Sequence, residues 1–359
     1  MVLSSPVTTT QNTTETRPLR SLIVATVITV AFVAGVLVSA VTGQLAIAWT
    51  EVVGSIAHSL GLNTALAPED DIVEATLWVV RFPRIAMAIC VGAALAVAGA
   101  VMQAVFGNPL AEPGVVGVSS GAALGASIAI VFGIQFGGGG VAVLAFLGGL
   151  LATLIVYAVA RAGGRTEVVT LLLTGIAVNA FAQAGLAFVL FLADTASREQ
   201  IVFWQLGSLA GSVWSHVAIV GPLMIVGALV AWVLAKQLDV LALGEKNARH
   251  LGIDVEKLRV LAIVLVALLT GAAVAFAGII AFVGLVVPHI IRMALGPAHR
   301  GLIIASAFGG AALLVWADLL TRTLVAGADL PIGMLTALVG GPFFFALLYQ
   351  QRRRSGGWL

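Results

Sequence analysis

The chain has 359 residues, of which 60% are hydrophobic and 9% charged, and its formal net charge is +2. A soluble domain carries about a quarter charged residues, so a water-soluble fold could not hide this much apolar side chain, and lipid must cover much of it. No nucleic-acid partner is expected.

Taken in order, residues 1–19 are rich in Thr and Ser and read as a disordered cytoplasmic tail. The apolar run after Arg20 exceeds a usual signal core, so a cleaved leader is not expected. Ten helical crossings are predicted near 20–41, 82–106, 115–133, 140–160, 168–192, 213–235, 258–276, 278–295, 302–321 and 332–350. Long apolar runs suit helices at about 1.5 Å rise per residue across a hydrocarbon layer of about 30 Å, whereas a barrel would show short alternating segments. With both termini cytoplasmic, 14 of the 18 Lys and Arg residues fall inside. Only Arg81, Arg84, Arg198 and Arg322 fall outside, which supports this orientation. The pair of crossings in 258–295 is cramped, and one of them should be short, tilted or broken near Gly284 or Pro288.

Arg81 and Arg84 flank Pro83, which reads as the first turn of the second crossing and sets two cations at an unfavourable helix N-terminus. Lipid headgroups or an acidic external partner would each explain them. Asn108, Pro109, Glu112 and Pro113 form a constrained turn between crossings, with gating as a candidate role. Gly117, Gly121 and Gly125 recur every four residues and mark a helix-packing face. Between the sixth and seventh crossings, 239–252 alternates an apolar face of Leu241, Ala248 and Leu251 with charged positions, punctuated by Gly244 and Gly252. Asp239 and Glu245 offset its cations, which favours a protein partner over the membrane surface. Residues 351–359 form a basic cytoplasmic tail.

No catalytic constellation is visible. His58, His216, His250, His289 and His299 form no HExxH or paired spacing, and no phosphate-binding GxxxxGK[ST] loop occurs. Cys90 is the only cysteine, so no disulfide can form within one chain. No cofactor or metal is expected on this chain.

Several motifs then appear in order: RFPR at 81–84, GAALAVAGAVMQAVFGNPLAEPGVVGVSSGA at 92–122, LLLTGIAVNA at 171–180, WQLGS at 204–208 and LGEKNARHLGI at 243–253. The C-terminal run AFAGIIAFVGLVVPHIIRMALGPAHR at 275–300, with ADLLTR at 317–322 and DLPIGMLTALVGGPFFFALL at 329–348, completes the set. In these the chain resembles the FecCD family of ABC-transporter permeases, which includes vitamin B12, ferric-siderophore and haem permeases. The resemblance implies an all-α polytopic fold of about ten transmembrane helices like that of the vitamin B12 permease, spanning 20–350, in a bacterial cell membrane. It implies a homodimer with two cytoplasmic ATPase subunits that use the ATP and one external substrate-binding protein. A coupling role at the ATPase transfers to Gly244, Glu245, Ala248, Arg249, Leu251 and Gly252, and docking of the binding protein to Arg81, Arg84 and Arg322. Relatives commonly carry Glu where this chain has Asp329. A ferric siderophore is the first expectation for cargo, with haem or cobalamin as the alternative. A non-transporting structural or sensory protein on the same fold would not need the cytoplasmic loop, which is intact here. A proton-coupled carrier would need acids at the midplane, and Glu112, Glu167 and Asp318 lie near the ends of crossings.

Overall fold

The computed structural model describes residues 16–354 except 63, 163–164 and 326, and the side chains of 16–18, 162, 165 and 350–354 are not described. The expected tails at 1–15 and 355–359 lie outside the described residues, while helix extends into the inner part of each tail. The chain forms α1 (Thr16–Val41), α2 (Trp49–Ser59), α3 (Asp71–Ala75), α4 (Phe82–Phe106), α5 (Val118–Val131), α6 (Gly140–Ala160), α7 (Val168–Leu192) and α8 (Thr195–Leu206). There follow α9 (Trp214–Leu241), α10 (Glu245–His250), α11 (Val255–Ala277), α12 (Val283–Leu295), α13 (His299–Thr321) and α14 (Ile332–Arg354). The short strands β1 (Arg161–Ala162) and β2 (Arg165–Thr166) pair antiparallel between α6 and α7.

Among the described residues, eight helices are long and apolar enough to cross a membrane, and α5 and α12 are shorter apolar helices in the positions of the third and eighth expected crossings. The protein is therefore a multi-span helical membrane protein. Helix α4 is its axis, packed against α9, α11, α12 and α13 and buried along nearly its whole length. Small residues make that possible. Gly92 lies against the backbone of Gly310 in α13, and Gly99 against that of Gly284 in α12, so helices approach backbone to backbone. The expected glycine face also packs: Gly121 and Gly125 meet the α6 backbone at Gly148 and Leu144. Gly117 precedes this helix in a left-handed conformation, φ 87°, and so caps α5 rather than lying within it. Around this core, α1 and α7 leave large apolar side chains such as Leu22, Val30, Phe181 and Phe188 exposed, as lipid-facing surfaces require.

Two boundaries differ from expectation, and the cramped region behaves as anticipated. Helix continues from Asp71 through a π-helical turn at Thr76–Arg81 into α4, so Arg81 and Arg84 sit mid-helix and pay no N-terminal dipole penalty. The ring of Pro83 would clash with the carbonyl of Val79 in a regular helix, and the widened turn just before it gives room. Helix α9 runs to Leu241 and absorbs Asp239, leaving the short α10 between Gly244 and Gly252. The cramped pair resolves as expected into a full-length α11 and a broken partner. Residues 278–282 are non-helical, α12 starts beside Gly284, and Pro288 stays inside the helix.

Candidate functional site

At one end of the bundle, α10 is a single six-residue helix between two glycines with positive φ, Gly244 at 102° and Gly252 at 80°. Ala248 is fully buried and Leu241 nearly so, but Leu251 is 64% exposed, so the apolar face expected to unite them is split. Leu243 is equally exposed, and the two leucines flank α10 as apolar knobs at a watery end. Glu245 accepts a hydrogen bond from the guanidinium of Arg259 in α11, which is 1% exposed, and lies 4.0 Å from Arg249. Arg259 also donates to the carbonyl of Thr166 in β2 and lies 4.0 Å from Glu256. Glu256 in turn accepts from the Thr166 amide at 3.1 Å, from the Thr166 hydroxyl and from Tyr157 at 3.2 Å. One buried cation thus ties α10, α11 and the β-hairpin into a unit. The Lys257 amide caps α11 through Asp254 and holds that carboxyl below its ordinary range. Asp239, in the last turn of α9, links that helix to α13 by accepting from the His299 amide at 2.8 Å and lying 2.6 Å from its Nδ1.

The turn after α4 is pinned to the start of α12. Asn108 Oδ1 accepts from the Leu110 amide at 2.9 Å, fixing the turn. Pro109 O lies 3.3 Å from His289 Nδ1, and Glu112 Oε1 accepts from the Phe282 amide at 3.3 Å. Pro113 abuts Gly284, and Phe282 takes a left-handed φ of 68°, rare for a residue with a side chain. At about 1.5 Å per residue, α5 and α12 are each about 20 Å long, too short for a layer of about 30 Å. Their N-termini begin beside this contact. Asn108, Pro109, Glu112 and Pro113 therefore sit where the two short helices α5 and α12 begin.

At the opposite end of the bundle, expected from sequence to face outward, Arg81, Arg84 and Arg322 come together, and all three are engaged internally. Arg84 Nε donates to both oxygens of Asp318, at 2.9 and 3.1 Å, and its Nη1 donates to Asp329 at 2.6 Å. Arg322 lies 3.6 Å from Asp318 and donates to the Thr42 and Ser39 carbonyls at 2.9 and 2.8 Å. Arg81 donates to the carbonyls of Ala40, at 2.5 Å, and Leu45; among the described residues it has no carboxylate partner. Gly43 leaves the space the Arg81 and Arg322 guanidiniums need. A pocket of about 260 Å³ opens beside them, lined also by Gln44, Thr76, Val80 and Asp329.

The sequence reading named neither Arg259 nor the Asp318–Asp329 pair as site residues. An arginine at the second position of the expected crossing 258–276 was the available signal for the first, since such a cation must find carboxylates when buried. No group of His, Cys, Asp and Glu among the described residues could hold a metal ion.

Comparison with known proteins gives a consistent picture. The model of the FecCD transport family matches residues 28–350. The hemin transport system permease of Yersinia pestis is 41% identical over 78% of this chain and 85% of its own length. The cobalamin import system permease of Halobacterium salinarum is 40% identical over 84% of this chain and 80% of its own. Among solved structures, a transporter assigned to the metal-chelate type of ABC transporter, inward-facing, superposes with a TM-score of 0.80 at 31% identity, covering 92% of this chain and 99% of that one.

Proposed function

The chain belongs to the FecCD transport family and is the non-catalytic membrane permease of an ABC importer; we propose that its cargo is a metal held in a large macrocycle, haem or cobalamin. One observation carries this choice over the ferric siderophore first expected from sequence. The two relatives described above are a hemin and a cobalamin permease, about 40% identical over more than three-quarters of the chain. The test is uptake into proteoliposomes containing the permease, its ATPase and its binding protein, offered hemin, cobalamin or a ferric hydroxamate. Stimulated ATP hydrolysis and uptake with a macrocycle alone support the reading; stimulation by the hydroxamate alone overturns the cargo assignment.

The working unit in this reading is a homodimer with two ATPase subunits below and a binding protein above. Exposed Leu243 and Leu251 beside α10 support an ATPase contact at Gly244–Gly252, because apolar knobs at a watery end gain from being covered. The Arg259 unit would carry ATPase movement to α11, and α9, which packs on α10, would pass it to α13 through Asp239 and His299. Glu245→Ala should therefore uncouple ATP hydrolysis from uptake while the permease remains inserted, because it removes a carboxylate from buried Arg259. Arg249→Ala should be mild, since its pair with Glu245 is long and half-exposed. Ligand-stimulated ATPase activity and co-purification with the ATPase distinguish the two, and equal effects would remove Arg259 from the coupling path.

For the outer end, the pocket beside Arg81, Arg84 and Arg322 would receive a carboxylate of the binding protein. Arg81, held only by backbone carbonyls among the described residues, leaves uncompensated positive charge there. Reversing the buried arginines would disturb the fold, so the cleaner test adds an anion at the exposed rim. Gln44→Glu should slow binding-protein association several-fold at low salt and little at high salt. An unchanged low-salt association rate in nanodiscs would reduce the cluster to internal packing.

A further inference from the structure

The geometry points to an intramembrane site for an anionic phospholipid of the inner leaflet, its acyl chain in a groove between α1 and α9 and its headgroup on Arg300 and Lys236. The groove has a volume of about 570 Å³, and its walls include Phe32, Ile89, Met224, Trp232, Ile304 and Phe308. Helix α13 forms its floor together with α4, since α1 packs on α13 while α9 packs on both α4 and α13. Every lining side chain is apolar, so water has no partner there and a hydrocarbon chain does. Phe32 and Phe308 meet edge to face at 5.8 Å and fix one wall.

Length and charge select the occupant. Along α13 the floor runs from Ala311 toward Arg300, about 16 Å at about 1.5 Å per residue, which is half of a hydrocarbon layer of about 30 Å. One leaflet's acyl chain spans that distance. At the cytoplasmic end Arg300 lies 4.9 Å over the ring of Trp232, a wall residue, and Lys236 follows Trp232 by one helical turn. Both cations are exposed, and among the described residues neither has a carboxylate within ion-pair distance. Tryptophan and basic side chains belong at a headgroup boundary. Here they stand at the mouth of a built cleft, so the phosphate and the chain can be held together. The same chemistry predicts discrimination against zwitterionic lipid, because a compensating positive group on the headgroup cancels much of the attraction to two cations.

The test uses full-length permease in nanodiscs of phosphatidylcholine into which acyl-brominated phosphatidylglycerol or acyl-brominated phosphatidylcholine is titrated. The tryptophan quenching lost in Trp232→Phe isolates the signal of Trp232. Brominated phosphatidylglycerol should half-quench it at a mole fraction about tenfold lower than brominated phosphatidylcholine, two cations each favouring the anion several-fold. Arg300→Gln with Lys236→Gln should erase that preference while leaving quenching by both lipids. Ala307→Phe and Ala228→Phe, which fill the groove, should each weaken Trp232 quenching, and native mass spectrometry should show loss of a retained phosphatidylglycerol. Equal half-quenching by the two lipids in the unsubstituted protein, or a preference that survives both charge removals, would overturn the site and leave ordinary annular lipid. Two independent filling substitutions guard against one that misfolds.

Discussion

Replacing Asp318 by Asn is expected to cost about 3–5 kcal/mol of stability, the usual consequence of removing one partner from a buried ion pair. Asp318 is 1% exposed and serves two cations: both oxygens accept from Arg84 Nε, and Arg322 lies 3.6 Å away. Asn keeps the shape and one acceptor but withdraws the charge, leaving Arg322 without a carboxylate and Arg84 dependent on Asp329. Asp329→Asn should be much milder. Its side chain is 31% exposed, so water can replace part of what it gives Arg84. Thermal unfolding in nanodiscs should show Asp318→Asn well below the unsubstituted protein and Asp329→Asn close to it. Equal shifts would mean that the network is no more than a solvated rim.

This network also shows where reading the sequence stops. Apolar runs located the eight long apolar helices among the described residues and the two shorter ones, because lipid imposes length and composition that one dimension records. They could not locate Arg84 relative to Asp318, 234 residues away, since nothing in either local pattern states the partner. The three outer arginines were legible as exceptions to the orientation rule, and the structure answers the exception with Asp318, Asp329 and the carbonyls that end α1. Pro83 misled for a physical reason: proline fits a first helical turn so well that a helix running through it, by way of a π-helical turn, looks like a start.

At the cytoplasmic end the charges and glycines around α10 were legible, but the facing of Leu251 was not. A six-residue helix offers too little periodicity to decide which side its flanks take. The broken crossing at 278–282 could be inferred from too few residues for two spans. Its contact with the turn at Asn108–Pro113 joins residues 170 apart and could not.

The other large effect is expected at the crossing of α4 and α12, where Gly99→Val should abolish most of the folded permease. A Cβ on Gly99 would lie 1.7 Å from the carbonyl oxygen of Gly284 and 2.5 Å from its carbonyl carbon, so the obstacle is backbone and no side chain can swing aside. The helices must separate, which undoes the close approach on which membrane helix packing depends. The cost should exceed the ~1–3 kcal/mol of ordinary overpacking. It should also reach the turn after α4, because Gly284 touches Pro113 and lies two residues from Phe282, whose amide Glu112 holds. Gly99→Ala, carrying the same Cβ without branches, should retain some folded protein but lose transport, as α12 shifts away from the turn. Gly301→Ala is the matched control in α13. Its Cβ would meet nothing within 4 Å, so stability should hold or rise slightly with the better helix former. Yield of monodisperse protein, thermal unfolding and uptake separate these outcomes. Normal stability and uptake in Gly99→Ala would show that α4 and α12 cross less closely than the backbone contact at Gly284 requires.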